Sequence, residues 1–169
     1  MTIRGGLSHR LAAALRLPDR AGWWRVLPVA AGGSALIAAV SLATGLARVA
    51  PLPLGWIWLR YALILFVVPS LGEEILFRGL LVPPREQRMT TLAAIGAVAA
   101  FVLWHPLQAV TIGPPWAATF LDPAFLVVVT ILGGTLVWMY RRSGSIWPGV
   151  ILHWLVVAGW KLMFAGPIG

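Results

Sequence analysis

The chain has 169 residues, 60% of them hydrophobic, with 13 Lys and Arg against only 5 acidic residues. That composition describes a single membrane-embedded domain over residues 1–169 and excludes an ordinary soluble enzyme. The absence of Cys removes disulfides, thiolate metal sites and Cys nucleophiles, and the net charge of +8 comes from Arg scattered between apolar blocks, so no nucleic-acid partner is expected.

Residues 1–25 form a basic N-terminal segment, with Arg4, Arg10, Arg16, Arg20 and Arg25 around Asp19. Leu11, Ala12 and Leu15 opposite Arg10 and Arg16 suggest a short amphipathic helix on the inner leaflet, and a loose basic tail fits the same residues. Trp23 and Trp24 stand where an interfacial aromatic belt belongs. The apolar block that follows, about 26–47, is longer than the roughly 7–15 residues of a cleavable signal core, so it reads as an uncleaved first span.

Pro51 and Pro53 end that block, and Trp56 and Trp58 mark the next interface. The second span, about 58–82, exceeds the ~20 residues a crossing needs. Pro69 and Gly72 are its expected kink points, just ahead of a pair of glutamates. Pro83-Pro84 close it, and a polar loop holds Arg85 and Arg88. The third span, about 90–112, contains Phe101, His105 and Gln108. The fourth, about 123–140, carries Gly133-Gly134, suited to close helix packing. A tight turn at Arg141-Arg142-Ser143-Gly144 leads to the fifth, about 146–164, with His153 and, near its end, Lys161.

The expected fold is all-α, a polytopic membrane bundle of about five transmembrane helices in contact with the lipid bilayer. Arg in the short loops sets its orientation. A cytoplasmic N-terminus puts the N-terminal Arg residues, Arg85, Arg88, Arg141 and Arg142 inside and leaves Arg48, Arg60 and Lys161 towards the outside, with an outward C-terminus.

The chemistry concentrates in Glu73-Glu74-Ile75-Leu76-Phe77-Arg78. Charges inside a span face a protein interior and pair with one another. Glu74 and Arg78 are i,i+4 neighbours in the favourable order. Glu73 points ~100° away around the helix and needs a partner on another span. His105 and His153 are the available ones. At ~1.5 Å per residue Glu73 lies ~14 Å from Val82 and His153 ~10 Å from Ile146. His105 lies ~22 Å in if its crossing starts at Thr90, and ~16 Å in if it starts near Ala94. A buried His is more often a packing residue, and a Glu–Arg i,i+4 pair is more often structural. Neither reading accounts for an unpaired Glu73 beside that pair with His on two further spans.

A carboxylate and two imidazoles at one depth can activate water, the Glu as general base and the His residues positioning water and stabilising an oxyanion. The same Glu73, His105 and His153 could instead hold Zn²⁺. Spacing does not choose between them. A proton-coupled transporter is disfavoured by short length and by the lack of an internal repeat.

These residues resemble the CAAX-protease and bacteriocin-processing family of intramembrane endopeptidases, also called CPBP or Abi. Glu73 to Arg78 matches its Glu-Glu-x-x-x-Arg motif, and Phe101-Val102-Leu103-Trp104-His105 its Phe-x-x-x-His motif. His153-Trp154-Leu155-Val156-Val157 keeps the His of a third motif, His-x-x-x-Asn or Asp, but ends on Val157. The resemblance implies Glu73 as base acting with His105 on water, His153 as oxyanion stabiliser, and Glu74, Arg78 and Phe101 in support, with no cofactor. It further implies a membrane-associated peptide or protein substrate cut towards the cytoplasmic half, and residence in a bacterial inner (plasma) membrane. Val157 removes a donor, for which the Trp154 indole is one substitute. The departure also leaves room for a catalytically weak binding or immunity protein.

Overall fold

The computed structural model describes the backbone of residues 3–167 and the side chains from residue 6 onward. The first residues of the basic segment and the expected outward C-terminus at residues 168–169 lie outside the described residues. Everything regular within them is helical, and strand pairing is limited to one bridge between Ala50 and Phe164.

Helix α1, Ile3–Ala14, is the expected N-terminal helix, but it is packed on the bundle rather than lying apart from it. Arg10 donates to the carbonyls of Leu80 and Val82, and the Ala14 carbonyl accepts from Ile146 N. Helix α2, Arg20–Ala43, begins several residues before the expected first span. The reason is local: Asp19 caps the helix, its carboxylate accepting from Gly22 N at 2.6 Å, so the first turn closes ahead of Trp23 and Trp24.

The expected second span is interrupted. Helix α3, Trp56–Leu65, gives way to a wide-turn segment, Phe66–Leu71, in which Val68 is extended (φ −130°, ψ 116°) before Pro69. A residue preceding proline is driven out of the helical region by the proline ring, and the break therefore sits at the expected kink. A single α turn, α4, Gly72–Glu74, carries the glutamates, and a second wide-turn segment, Ile75–Leu81, carries Arg78. Widened turns of this kind recur at functional sites because they re-aim side chains that a regular helix would stack.

Helix α5, Thr91–Thr111, is capped by Thr90, whose hydroxyl accepts from Ala93 N. A 3₁₀ segment, Pro115–Leu121, leads to α6, Pro123–Ser143, capped by Asp122 and extended through Arg141 and Arg142 until Gly144 turns left-handed (φ 74°). Helix α7, Trp147–Met163, completes the bundle. Of these, α2, α5 and α6 are each long and apolar enough to cross a membrane. The other two expected crossings are the interrupted segment and α7, whose 17 residues span ~26 Å. These two carry the glutamates and His153.

Helix α6 is the centre, packed along α2 and α5 and against α7. Phe101, Val129, Leu132, Leu136 and Met139 form the core. Of the Gly133-Gly134 pair only Gly133 provides close approach, since a Cβ there would stand 3.0 Å from the Phe101 ring. Large aliphatic side chains such as Leu92, Leu103, Val110 and Ile112 face outward, as a lipid-facing surface requires.

Candidate active site

The interrupted segment delivers Glu74 and Arg78 into the protein interior, where both are sealed. Arg78 Nη1 donates to Glu74 Oε1 at 3.0 Å, Nη2 donates to the Gly133 carbonyl at 3.3 Å, and the guanidinium lies 4.2 Å from the Phe101 ring centroid. The expected ion pair is present, but it is not self-contained. His153 Nδ1 is also within 3.2 Å of Glu74 Oε1. Gly149, one turn before His153 on α7, makes room for the carboxylate: a Cβ there would stand 3.0 Å from Glu74 Oε2.

Glu73 faces the other way. Its Oε1 accepts from Trp104 Nε1 at 3.1 Å, while Oε2 has no hydrogen bond and lies 3.9 Å from His153 Nε2. Sequence reasoning divided the glutamates correctly and assigned His to Glu73, but it missed Trp104. The one available signal was an indole immediately before His105 in a spanning segment. His153 thus stands between the two carboxylates.

His105 is held by its own helix. Its Nδ1 is 2.9 Å from the Phe101 carbonyl, which can only accept, so Nδ1 carries the hydrogen and Nε2 is left as an acceptor. The rings of Phe101, Phe120 and Phe125 surround the imidazole at 5.1 to 5.5 Å. Phe101 also meets the His153 ring edge-on at 5.8 Å, so one phenyl ring sets the orientation of both imidazoles and of Arg78.

Glu73, His105 and His153 line one cavity of about 720 Å³. Its remaining walls are mostly aliphatic and aromatic and come from the C-terminal halves of α2, α5 and α7, from α3 and from the start of α6. The cavity therefore runs from the glutamate towards the end of the bundle opposite Arg85, Arg88, Arg141 and Arg142. Val157 lines the cavity as a hydrocarbon. Trp154 is no substitute for the missing polar group, because its indole N–H is committed to the Ala62 carbonyl at 2.8 Å. Among the described residues no three His or acidic side chains are grouped closely enough to hold a metal ion together.

A family profile described as type II CAAX prenyl endopeptidase, Rce1-like, matches residues 53–159. The chain belongs to this family. The match covers the interrupted segment, α5, α6 and most of α7, and with them every residue of the constellation, while α1 and α2 stand outside it. No curated protein and no solved structure gives a significant match. Family membership and apolar helices together make this an integral membrane protein of a CAAX-type protease family.

Proposed function

We propose that the chain is an intramembrane endopeptidase in which Glu73 activates water against a peptide carbonyl of a membrane-associated substrate. The supporting observation is the pairing of an uncommitted Glu73 Oε2 with two imidazoles whose Nδ1 atoms are already engaged.

In this reading water is held between Glu73 Oε2 and His105 Nε2. Glu73 takes a proton from the water as its oxygen bonds to the carbonyl carbon. Negative charge moves to the carbonyl oxygen, where His153 donates from Nε2 while Nδ1 stays on Glu74. Collapse of the tetrahedral adduct breaks the C–N bond, and Glu73 returns its proton to the departing amine. Trp104 fixes the base, and Arg78 holds Glu74 in place for His153. The substrate approaches through the apolar cavity. The reading includes a bacterial plasma-membrane location with the arginine-rich end in the cytoplasm.

Glu73→Gln keeps the shape and the Trp104 bond but cannot take the proton. It is expected to lower kcat by ~10³-fold or more, from the combined loss of general-base catalysis and charge, with helicity retained by circular dichroism. Full cleavage by purified protein carrying Glu73→Gln would sink the reading. Chelator treatment with metal analysis separates it from a zinc enzyme using Glu73, His105 and His153: activity in metal-free protein is expected, and activity that returns only with Zn²⁺ would replace it. Val157 favours one second reading, a catalytically weak membrane-binding or immunity relative. Under that reading the cellular phenotype survives Glu73→Gln.

A further inference from the structure

The bundle carries a second hollow on its outer surface, a groove of about 880 Å³ between α5 and α6 that shares no residue with the cavity lined by Glu73. Small side chains open it. Ala94 and Ala99 lie on its α5 wall and Gly134 on its α6 wall, where an added Cβ would meet nothing within 4 Å. Helix α5 starts and α6 stops at the arginine-rich end, and there the groove reaches Met89 and Arg141. Trp138 also lines it and is 59% exposed, and the guanidinium of Arg142 lies 5.3 Å from that indole's centroid.

The groove ends part-way along the bundle. From Arg141 back to Thr130, its far α6 residue, is eleven residues, ~17 Å of helical rise. That is about half of a ~30 Å hydrocarbon core, the depth of one leaflet. The charge at its mouth is uncompensated. Among the described residues the ion pairs are confined to Glu73, Glu74, Arg78 and His153. Glu86 is the single acid of the 85–90 loop and the end of α6, against Arg85, Arg88, Arg141 and Arg142. The carbonyls that Arg141 holds leave its charge in place.

We propose that this groove binds one anionic phospholipid, an acyl chain lying along Ala94, Ala99 and Gly134 and the phosphate held at Arg88 and Arg142. Guanidinium groups match phosphate oxygens in a fork, and a tryptophan belongs at the level where chain meets headgroup. Basic loops orient any bundle in a membrane, but that rule does not account for a furrow one leaflet deep that ends at them. A second copy of the chain fits less well. Its helices would cross the whole core, and a two-fold axis along the membrane normal would bring the arginines of both copies to the same end, like charge against like. The site does not depend on the hydrolysis proposed above.

The test is native mass spectrometry of the full chain, delipidated in detergent and titrated with dioleoylphosphatidylglycerol or dioleoylphosphatidylcholine. The first phosphatidylglycerol is expected to bind about ten-fold or more tightly than phosphatidylcholine, the scale of two or three arginines beside an anionic headgroup. Replacing both arginines, Arg88→Gln with Arg142→Gln, should bring the two lipids within about two-fold of each other. Gly134→Leu fills the furrow and should weaken phosphatidylglycerol by about five-fold or more, with helicity unchanged in both variants. Equal affinity for the two lipids in the unsubstituted chain overturns the proposal without any substitution. Preference for phosphatidylglycerol that survives loss of both arginines also overturns it. Binding that Gly134→Leu leaves untouched would assign the anion to the arginines alone, as for free phosphate, and removes the groove. A dimer that disappears with Gly134→Leu, in place of bound lipid, gives the groove to a second copy and overturns the proposal as well.

Discussion

The two ends of the bundle treat their charges in opposite ways. At the arginine-rich end, cations are spent on backbone carbonyls released where helices stop. Arg10 holds Leu80 and Val82, and Arg141 holds Pro83, Pro84 and Gln87. Trp147 adds a bond from its indole to the Leu15 carbonyl at 2.7 Å, and Val82 is fully buried beneath. These contacts join α1, the end of the interrupted segment and the start of α7 into a plug. At the other end the walls are apolar, and Lys161 lies among them over the Trp116 ring, donating to the Pro167 carbonyl. The adjacent glutamates sit on the boundary. Glu74 belongs to the sealed side, its Oε1 shared by Arg78 and His153 and its Oε2 without a hydrogen bond, whereas Glu73 lines the cavity. One step of helix, ~100° of rotation, divides the carboxylate of the sealed side from the one that lines the cavity.

Beyond loss of Glu73 itself, the largest break in this contrast comes from the sealed side. Arg78→Met leaves Glu74 buried without its main counter-charge and removes the donor to the Gly133 carbonyl. Removing one partner of a buried pair costs ~3–5 kcal/mol. A fall in thermal midpoint and in yield of folded protein is expected, and an unchanged midpoint in a detergent melt would show that Glu74 is satisfied without Arg78. A smaller effect is expected on the cavity side. Trp104→Phe keeps the aromatic wall and deletes the donor to Glu73 Oε1. One such hydrogen bond to a charged group corresponds to ~1.5 kcal/mol, about ten-fold in rate. The loss should fall on kcat at nearly constant KM, and a change in KM alone would assign Trp104 to substrate binding instead.

What the sequence made legible follows from which forces act locally. The Glu74–Arg78 pair was readable because i,i+4 neighbours meet within one segment, and it forms even though the segment is widened. Depth counted along each span put Glu73 and His153 together, but reached His105 only with its crossing started near Ala94, so the motif resemblance carried that residue. The sharing of Glu74 between Arg78 and His153 was not readable, since it depends on how α7 rotates about its axis and on the clearance at Gly149. Trp104 and Trp154 show the same limit: the indoles differ in what they face across the bundle, Glu73 for one and the Ala62 carbonyl for the other. The early start of α2 was written in Asp19, which lay inside the 1–25 stretch read as a basic segment ahead of the first span.

The finest test of the two-ended arrangement is a substitution that loosens the plug without reaching the site. Arg141 donates to three carbonyls of the Pro83–Gln87 stretch and makes no contact with Glu73, His105 or His153. Arg141→Ala should cost ~1–2 kcal/mol, because carbonyls that reach water recover much of what they lose. The expected signature is faster amide exchange confined to residues 80–90 and the start of α7, with kcat unchanged within about two-fold. If kcat fell in step with stability, the arginine-rich end would be part of the path to the glutamate, and the division between a sealed end and an open one would be wrong.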